Sequence, residues 1–413
     1  MAERIDTVVI GGGQAGLATS YFLSQHGRDH VVLEQGRLAE TWRTQRWDGF
    51  KLNTPNEYLR LPGNAYAGVE PDAFLTRVET VRHLEDYATL VGAPLRTARV
   101  TSLATTASGT FALETSNGAI ETNTVVVATG AFQRPAPPSA VGSPAPELVQ
   151  LHASEYRNPA QLPAGGVLIV GSGQSGCQIA DELICDGRDV YLSLGRCPTL
   201  PVRYRGGSIY RWLTEIGLMD ETVDTLPSPE ARLAGNVTVT SDDGGHLCGP
   251  LRLAGAGVVL VGRVEAIDGW TATLRRDANE RLADADAFAA RITRRIDDHI
   301  RATGQDLPDD DADAAVSTRL DEPHELDLRA AGVRTVLWAN GYRPDYGWVR
   351  LPVFDAHGWP VQSRGVTEVP GLYFVGVHWL HKRKSALLLG VGEDAEHVVS
   401  VIVGTPVSAS SCR

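Results

Sequence analysis

Short apolar runs separated by glycine-rich turns set the rhythm of this chain. Residues 7–10 (TVVI) form one run and residues 30–34 (HVVLE) the next. Between them lie GGGQAG and a helical stretch that closes at Gly27. Strand, turn, helix and strand in that order make one βαβ unit. The same grammar returns about 160 residues later: VLIV at 167–170, GSGQSG at 171–176, a helical stretch, then the strand DVYLSLG at 189–195. Elsewhere the pattern predicts a helix over 78–91 and strands over 98–103, 111–115 and 124–128. A second, amphipathic helix is expected at 284–303, short strands at TVLWAN (335–340) and GLYFVG (371–376), and a final helix near 385–403. Residues 41–63 carry Pro55 and Pro62 and no clear period, and read as a loop lying over a ligand. The Pro-, Ala- and Ser-rich stretch 131–148 reads as a linker, 208–245 is poorly patterned, and 307–314 is an acidic loop.

Composition narrows the class without naming it. The chain has 413 residues, enough for two or three domains. Its net charge of −12 argues against a nucleic-acid or anionic-membrane partner, which would need a positive footprint. It has no apolar run of 18 residues, so no membrane insertion is expected, and residues 1–6 lack a signal-peptide pattern. Five scattered cysteines (Cys177, Cys185, Cys197, Cys248 and Cys412) form no CxxC pair and fit a cytoplasmic location. No metal-ligand spacing is present.

The two glycine turns carry the chemistry. In the first, Gly11 permits a tight turn, Gly13 lets backbone N–H groups approach a pyrophosphate, and Gly16 lets helix and strand pack closely. Gln14 and Ala15 complete that turn. Glu34, followed by Gln35, ends the next strand, where a carboxylate can accept hydrogen bonds from ribose hydroxyls. The second turn repeats the glycines as Gly171, Gly173 and Gly176, with Gln174 and Ser175 between them. Its following strand ends in Ser193, Leu194, Gly195 and Arg196, without an acid. A hydroxyl and a guanidinium suit a 2′-phosphate, so NADPH is expected there rather than NADH. Arg203, Arg205 and Arg211 are open to two readings, as part of the same anionic site or as a solvated basic face. Cys177 sits at a helix start, where a thiolate is favoured, but also where a small packing residue is common.

With these features in place, the sequence resembles the class B single-component flavoprotein monooxygenases. These include flavin-containing monooxygenases, plant-type indole-pyruvate monooxygenases and Baeyer–Villiger relatives. The resemblance spans most of the chain. It rests on GGGQAG at 11–16, Glu34, TWRTQRWDGFKLNTP at 41–55, VVVATG at 125–130, HASEY at 152–156, GSGQSG at 171–176, WANGYRP at 338–344 and GLYFVG at 371–376. It implies an α/β fold with two Rossmann-like dinucleotide-binding domains, the NADPH domain (161–325) inserted into a discontinuous FAD domain (1–160 and 326–413). It places Trp42 and Arg43 against FAD, Asn53 and Thr54 beside the isoalloxazine, and Gly376 near the ribityl chain. Ala128, Thr129 and Gly130 become the hinge between domains; Ala339, Asn340, Gly341 and Tyr342 become the return crossing. The family fingerprint is half present: His152 and Tyr156 match, while Pro146 and Leu148 replace its Phe and Gly.

The reaction implied by the resemblance is an NADPH-dependent FAD monooxygenation. Hydride reduces FAD, O2 gives a C4a-(hydro)peroxide, and a small organic substrate takes one oxygen atom. Asn53 is the first candidate donor near the flavin, or else a loop-capping Asn in the turn before Pro55, and His152 orients the linker or the nicotinamide, or else is a hydrogen-bonded structural His. The basic run His381 to Lys384 lies close to the flavin on this view, or is a solvated face. Two alternatives stay open: a reductase passing electrons to a partner, and a non-catalytic flavin- or NADPH-binding regulatory protein. A homodimer is also left open.

Overall fold

Continuous apolar runs need partners on both faces, and two sheets with parallel central strands, covered by helices, supply them. The computed structural model describes residues 2–136, 140, 142–196, 198–233, 237, 239, 248–308 and 319–404. The first sheet runs in the order Leu95–Thr97, His30–Glu34, Glu3–Ile10, Gly118–Val127, Phe111–Thr115, Val100–Thr105. Val8 pairs with Val31 on one side and Val125 on the other, both parallel, and is fully buried. The strand Gly118–Val127 is shared: Phe111–Thr115 pairs with it antiparallel, and Leu372–Phe374 pairs parallel with its last three residues. That late strand brings the C-terminal part of the chain back into the first unit. The helix Val391–Val403 then packs against the helix Gln14–Gln25.

The second sheet is wholly parallel, in the order Val149–His152, Val333–Trp338, Gly166–Val170, Val190–Ser193, Val259–Val261. Its central strand Gly166–Val170 is buried at every position, matching its unbroken apolar sequence. In each sheet the chain leaves the glycine-turn strand to one side and returns on the other. This makes a topological switch point, where a crevice opens at the carboxyl ends of the strands.

Four expectations about boundaries change, the first being the final helix, expected near 385–403, which begins only at Val391. Strands Val149–His152 and Val333–Trp338 pair in the second sheet, so this unit reaches beyond 161–325 on both sides. Strand membership is decided by the distant neighbour that completes the hydrogen bonds, which local pattern does not carry. The long helix spans Ala278–Thr303, starting six residues before the expected 284, and buries Leu282, Ile292, Ile296 and Ile300 on one face. The poorly patterned stretch contains the helix Ile209–Glu215, whose Trp212 is fully buried and donates its indole N–H to Tyr204 O at 2.7 Å. By contrast, the helix Arg77–Val91 starts where expected, fixed by a capping box between Thr76 and Glu79. Cys197, Cys412 and the acidic residues Asp309 to Asp311 lie outside the described residues. Among the described residues no helix is long and apolar enough to cross a membrane.

Candidate dinucleotide sites and their junction

The two glycine turns have the same geometry. At Gly11 (φ 114°) a Cβ would lie 2.5 Å from Ala128 O, and at Gly171 (φ 113°) 2.6 Å from Ala339 O. At Gly16 and Gly176 an added Cβ would come within 1.9 Å of the carbonyl oxygens of Gly11 and Gly171. Above Gly13 and Gly173 an added Cβ meets nothing within 4 Å, so each turn is closed below and open above. Gly13 and Gly173 are also the N-caps of twelve-residue helices, Gln14–Gln25 and Gln174–Cys185, and neither helix start has a side-chain cap. Open space above uncapped N–H groups is what a diphosphate requires. Both turns fit a dinucleotide.

Their surroundings differ. Glu34 is tied into the first turn, accepting from Gly12 N–H at 2.8 Å and Gly36 N–H at 2.9 Å. Gln14 donates its amide to Ala386 O at 2.7 Å, and Gly376 (φ 78°) approaches Ala15 so closely that a Cβ would lie 2.6 Å from it. Gln35 is exposed. In the second turn Gln174 donates to Val237 O at 2.8 Å, and Ser175 is half-buried.

The Ser193 hydroxyl does not face the second turn as a ligand donor. It is buried, donates to Gly262 O at 3.0 Å and accepts from Val264 N–H at 3.1 Å. It joins the strand end to the next connection. Arg196 is exposed, and among the described residues it has no ion-pair partner. The other basic candidates are neutralised: Arg203 pairs with Asp72, Arg205 with Asp297 and Arg211 with Glu215. In the run His381 to Lys384, both lysines pair with Asp220 and Glu393, and Arg383 pairs with Glu221. Cys177 is buried, with its thiol donating to Ser172 O at 3.3 Å.

The two interdomain crossings run directly behind the turns. Ala128 N–H donates to Ile10 O at 2.8 Å, and Ala339 N–H donates to Val170 O at 2.9 Å, at equivalent places in the two units. Gly130 (φ 79°) and Gly341 (φ 85°) then turn the chain. Past them the crossings pair with each other, Tyr342 opposite Pro135 and Arg343 opposite Arg134. Gln133 donates to Thr129 Oγ1 at 2.7 Å. His152 lies at this ribbon with Nδ1 2.9 Å from Ser154 Oγ and Nε2 3.1 Å from Gly341 O; burial pushes its pKa down. Both ring nitrogens are therefore engaged, Nε2 with the return crossing at Gly341 and Nδ1 with Ser154 of its own segment.

The loop at 41–55 connects the two units. The Gln178 amide donates to Asn53 Oδ1 at 2.9 Å and to Lys51 O at 3.2 Å. Tyr156 O–H donates to Glu182 Oε2 at 2.8 Å, and Glu182 also accepts from the Gly49 backbone; burial pushes the Glu182 pKa up. Asp48 N–H donates to Arg157 O at 2.7 Å, and the Asn158 amide donates to Asp48 Oδ2 at 2.8 Å. Thr54 is buried and hydrogen-bonds Tyr210, whose pKa burial pushes up to about 12. Arg43 donates to Leu38 O at 3.0 Å and pairs with Glu85, so it holds the short helix Glu40–Thr44 to the helix Arg77–Val91. Trp42 is half-buried against Phe50, with ring centroids 5.8 Å apart.

Sequence reasoning missed Gln178 and Glu182. Gln178 lies one helical turn beyond Gln174, on the helix the second turn begins, so its position carried a signal. Ala339, at the head of the expected return crossing, follows its strand as Ala128 follows Gly118–Val127.

Comparison with known proteins agrees with this geometry. Residues 8–199 match the family model described as pyridine nucleotide-disulphide oxidoreductase. The chain is 33% identical over 98% of its length to an uncharacterized CzcO-like oxidoreductase of Geobacillus kaustophilus, of which it covers 99%. It is 31% identical over 44% of its length to indole-3-pyruvate monooxygenase YUCCA1 of Oryza sativa, covering 45% of that protein. Among solved structures, a flavin-containing monooxygenase from Stenotrophomonas maltophilia aligns with a TM-score of 0.65 and 20% identity, covering 97% of this chain and 99% of that one. The OTEMO complex with FAD and NADP aligns with a TM-score of 0.54 and 17% identity, covering 98% and 86%. With the α/β fold of the flavin monooxygenases and full-length similarity to a CzcO-like enzyme, the chain belongs to the CzcO-like flavin-dependent oxidoreductases.

Proposed function

We propose that this protein is an NADPH-dependent FAD monooxygenase that uses O2 to oxygenate a small organic substrate. The observation that carries this reading is the pair of equivalent diphosphate cradles, each backed by one of two crossings that meet in a ribbon. Two nucleotides held this way would converge on one junction. The solved OTEMO complex, which holds FAD and NADP, has the same fold and supports the assignment. Gly11, Gly13 and Gly16 would hold the FAD diphosphate, with Glu34 at its ribose. Gly171, Gly173 and Gly176 would hold NADPH, with Arg196 at the 2′-phosphate.

Bound reduced flavin supplies the oxygen chemistry; this chain's residues bind, orient and exclude water. Gln178 fixes the Asn53 amide by taking its oxygen as acceptor, which turns the NH2 group the other way. Trp47 and Phe50 of the same loop are buried and pack edge to face, with ring centroids 5.2 Å apart. Ser193 has no part in nucleotide choice, because its hydroxyl is committed within the sheet.

The test is anaerobic reduction of the purified yellow protein by NADPH, then mixing with O2 in a stopped-flow spectrometer. The expected result is an absorbing species between reduced and oxidised flavin, which decays faster when substrate is present. Direct return to oxidised flavin, unaffected by any organic compound, would favour electron transfer to a partner.

A further inference from the structure

Among the described residues two cations are buried, and their environments are opposite. Lys384 contacts two carboxylates, Asp220 at 3.0 Å and Glu393 at 2.5 Å. Arg46, 8% exposed, contacts none. Its guanidinium carbon lies 5.3 Å from the ring centroid of Trp42, 5.4 Å from Phe132, 5.6 Å from Phe50 and 5.8 Å from Tyr342. Nη1 donates to Gln45 O at 2.8 Å and to Tyr342 O–H at 3.2 Å. The N–H groups of Nε and Nη2 have no acceptor among the described residues. The carboxylate at this cluster, Glu155, is bound to the His152 backbone N–H at 2.7 Å and forms no ion pair with Arg46 among the described residues. His152 and His378 both pack on this ring cluster, and burial pushes both pKa values down, that of His378 to about 4.

A buried cation without a counter-ion is costly, and four aromatic faces offset only part of the lost hydration. The Nε and Nη2 edge of a guanidinium is also the edge that takes two coplanar oxygens at once. Position adds the third argument. Phe132 and Tyr342 belong to the two crossings, and His378 lies two residues beyond Gly376, so Arg46 stands at the junction between the cradles. The diphosphates of two nucleotides are already provided for at Gly11–Gly16 and Gly171–Gly176. An oxyanion at Arg46 must therefore come from a third molecule, and the surrounding rings suit an organic body.

We propose that Arg46 is a substrate-recognition residue that binds the carboxylate of a small organic acid at the junction. This rests on the reading of that junction as the reaction centre, and its test does not depend on turnover. Phenylacetate and 3-phenylpropionate, each beside its neutral amide, would be titrated into the FAD-loaded protein, with binding read by flavin fluorescence and calorimetry. NADP⁺ would be titrated separately. The acids are expected to bind at least tenfold more tightly than the amides. Arg46→Gln should erase that preference, Arg46→Lys should restore part of it, and NADP⁺ affinity should be unchanged in both. Equal binding of acid and amide by the unaltered protein would overturn the proposal, and that comparison decides even if Arg46→Gln fails to fold. Arg46→Gln that loses NADP⁺ while keeping the acid preference would also overturn it, and would assign Arg46 to a nucleotide phosphate. Acid binding through Arg46 without any oxygenation would leave this proposal standing and remove the monooxygenase reading instead.

Discussion

The two cradles are nearly superimposable in their contacts, yet the strands that follow them end differently. The first ends in Glu34, whose carboxylate takes two backbone N–H groups of its own turn. The second ends in Ser193, turned inward, and then Arg196, exposed. Glycine spacing therefore fits both turns to a diphosphate. Which nucleotide is held depends on one or two side chains past the next strand.

The largest expected effect breaks the equivalence outright. Gly16→Ala puts a Cβ against Gly11 O and should leave a protein purifying without flavin. Gly176→Ala should stay yellow and lose NADPH affinity by roughly 100-fold, about 2.7 kcal/mol. Flavin-to-protein absorbance ratios and NADP⁺ titrations check both, with circular dichroism as the control for folding. Loss of flavin in Gly176→Ala would show that the sites are not separable.

Next in size, Arg196→Ala should weaken NADPH binding by about 1.5–3 kcal/mol and leave NADH nearly unchanged. An equal effect on both would remove the 2′-phosphate assignment. Ser193→Ala sharpens the same point from the other side. It should lower stability by about 1–2 kcal/mol in denaturant melts, since Gly262 O and Val264 N–H lose a buried partner, with no change in the NADPH-to-NADH ratio. Glu34→Gln keeps shape but removes charge from the first turn, and FAD binding should weaken by about 1 kcal/mol, roughly fivefold, in a fluorescence titration.

The smallest effect concerns the contact between the units. Burial raises the Glu182 pKa, so the folded state binds its proton more tightly than the unfolded chain does. Stability from this group is fully present below the ordinary glutamate value and is lost as pH rises through the higher native value. Glu182→Gln should flatten that decline, measured as melting temperature across the mildly acidic range. An unchanged slope would place the pH sensitivity elsewhere.

Much of this was legible because it is local. The turns GGGQAG and GSGQSG each sit between a strand and a helix, and three consecutive elements suffice to identify them. The direction of the Ser193 hydroxyl was not legible, since it depends on Gly262 and Val264, some 70 residues away. The same holds for Val149–His152 and Val333–Trp338, which pair with each other across nearly 200 residues of chain. Arg46 lies in TWRTQRW, where nothing local separates it from Arg43. Only the fold turns Arg43 towards Glu85 and leaves Arg46 among rings.

The loop at 41–55 belongs by sequence to the first unit, but Gln178, Glu182, Arg157 and Asn158 hold it from the side of the second. Mechanically it is a strap fastened at both ends. If the second unit tilts, it pulls Asn53 and the packed rings of Trp47 and Phe50 along with it, or else sheds those bonds one after another. Access to the junction and the shape of its wall thus form a single degree of freedom, and a ligand that settles the second unit also sets the surface met by whatever enters beside the first.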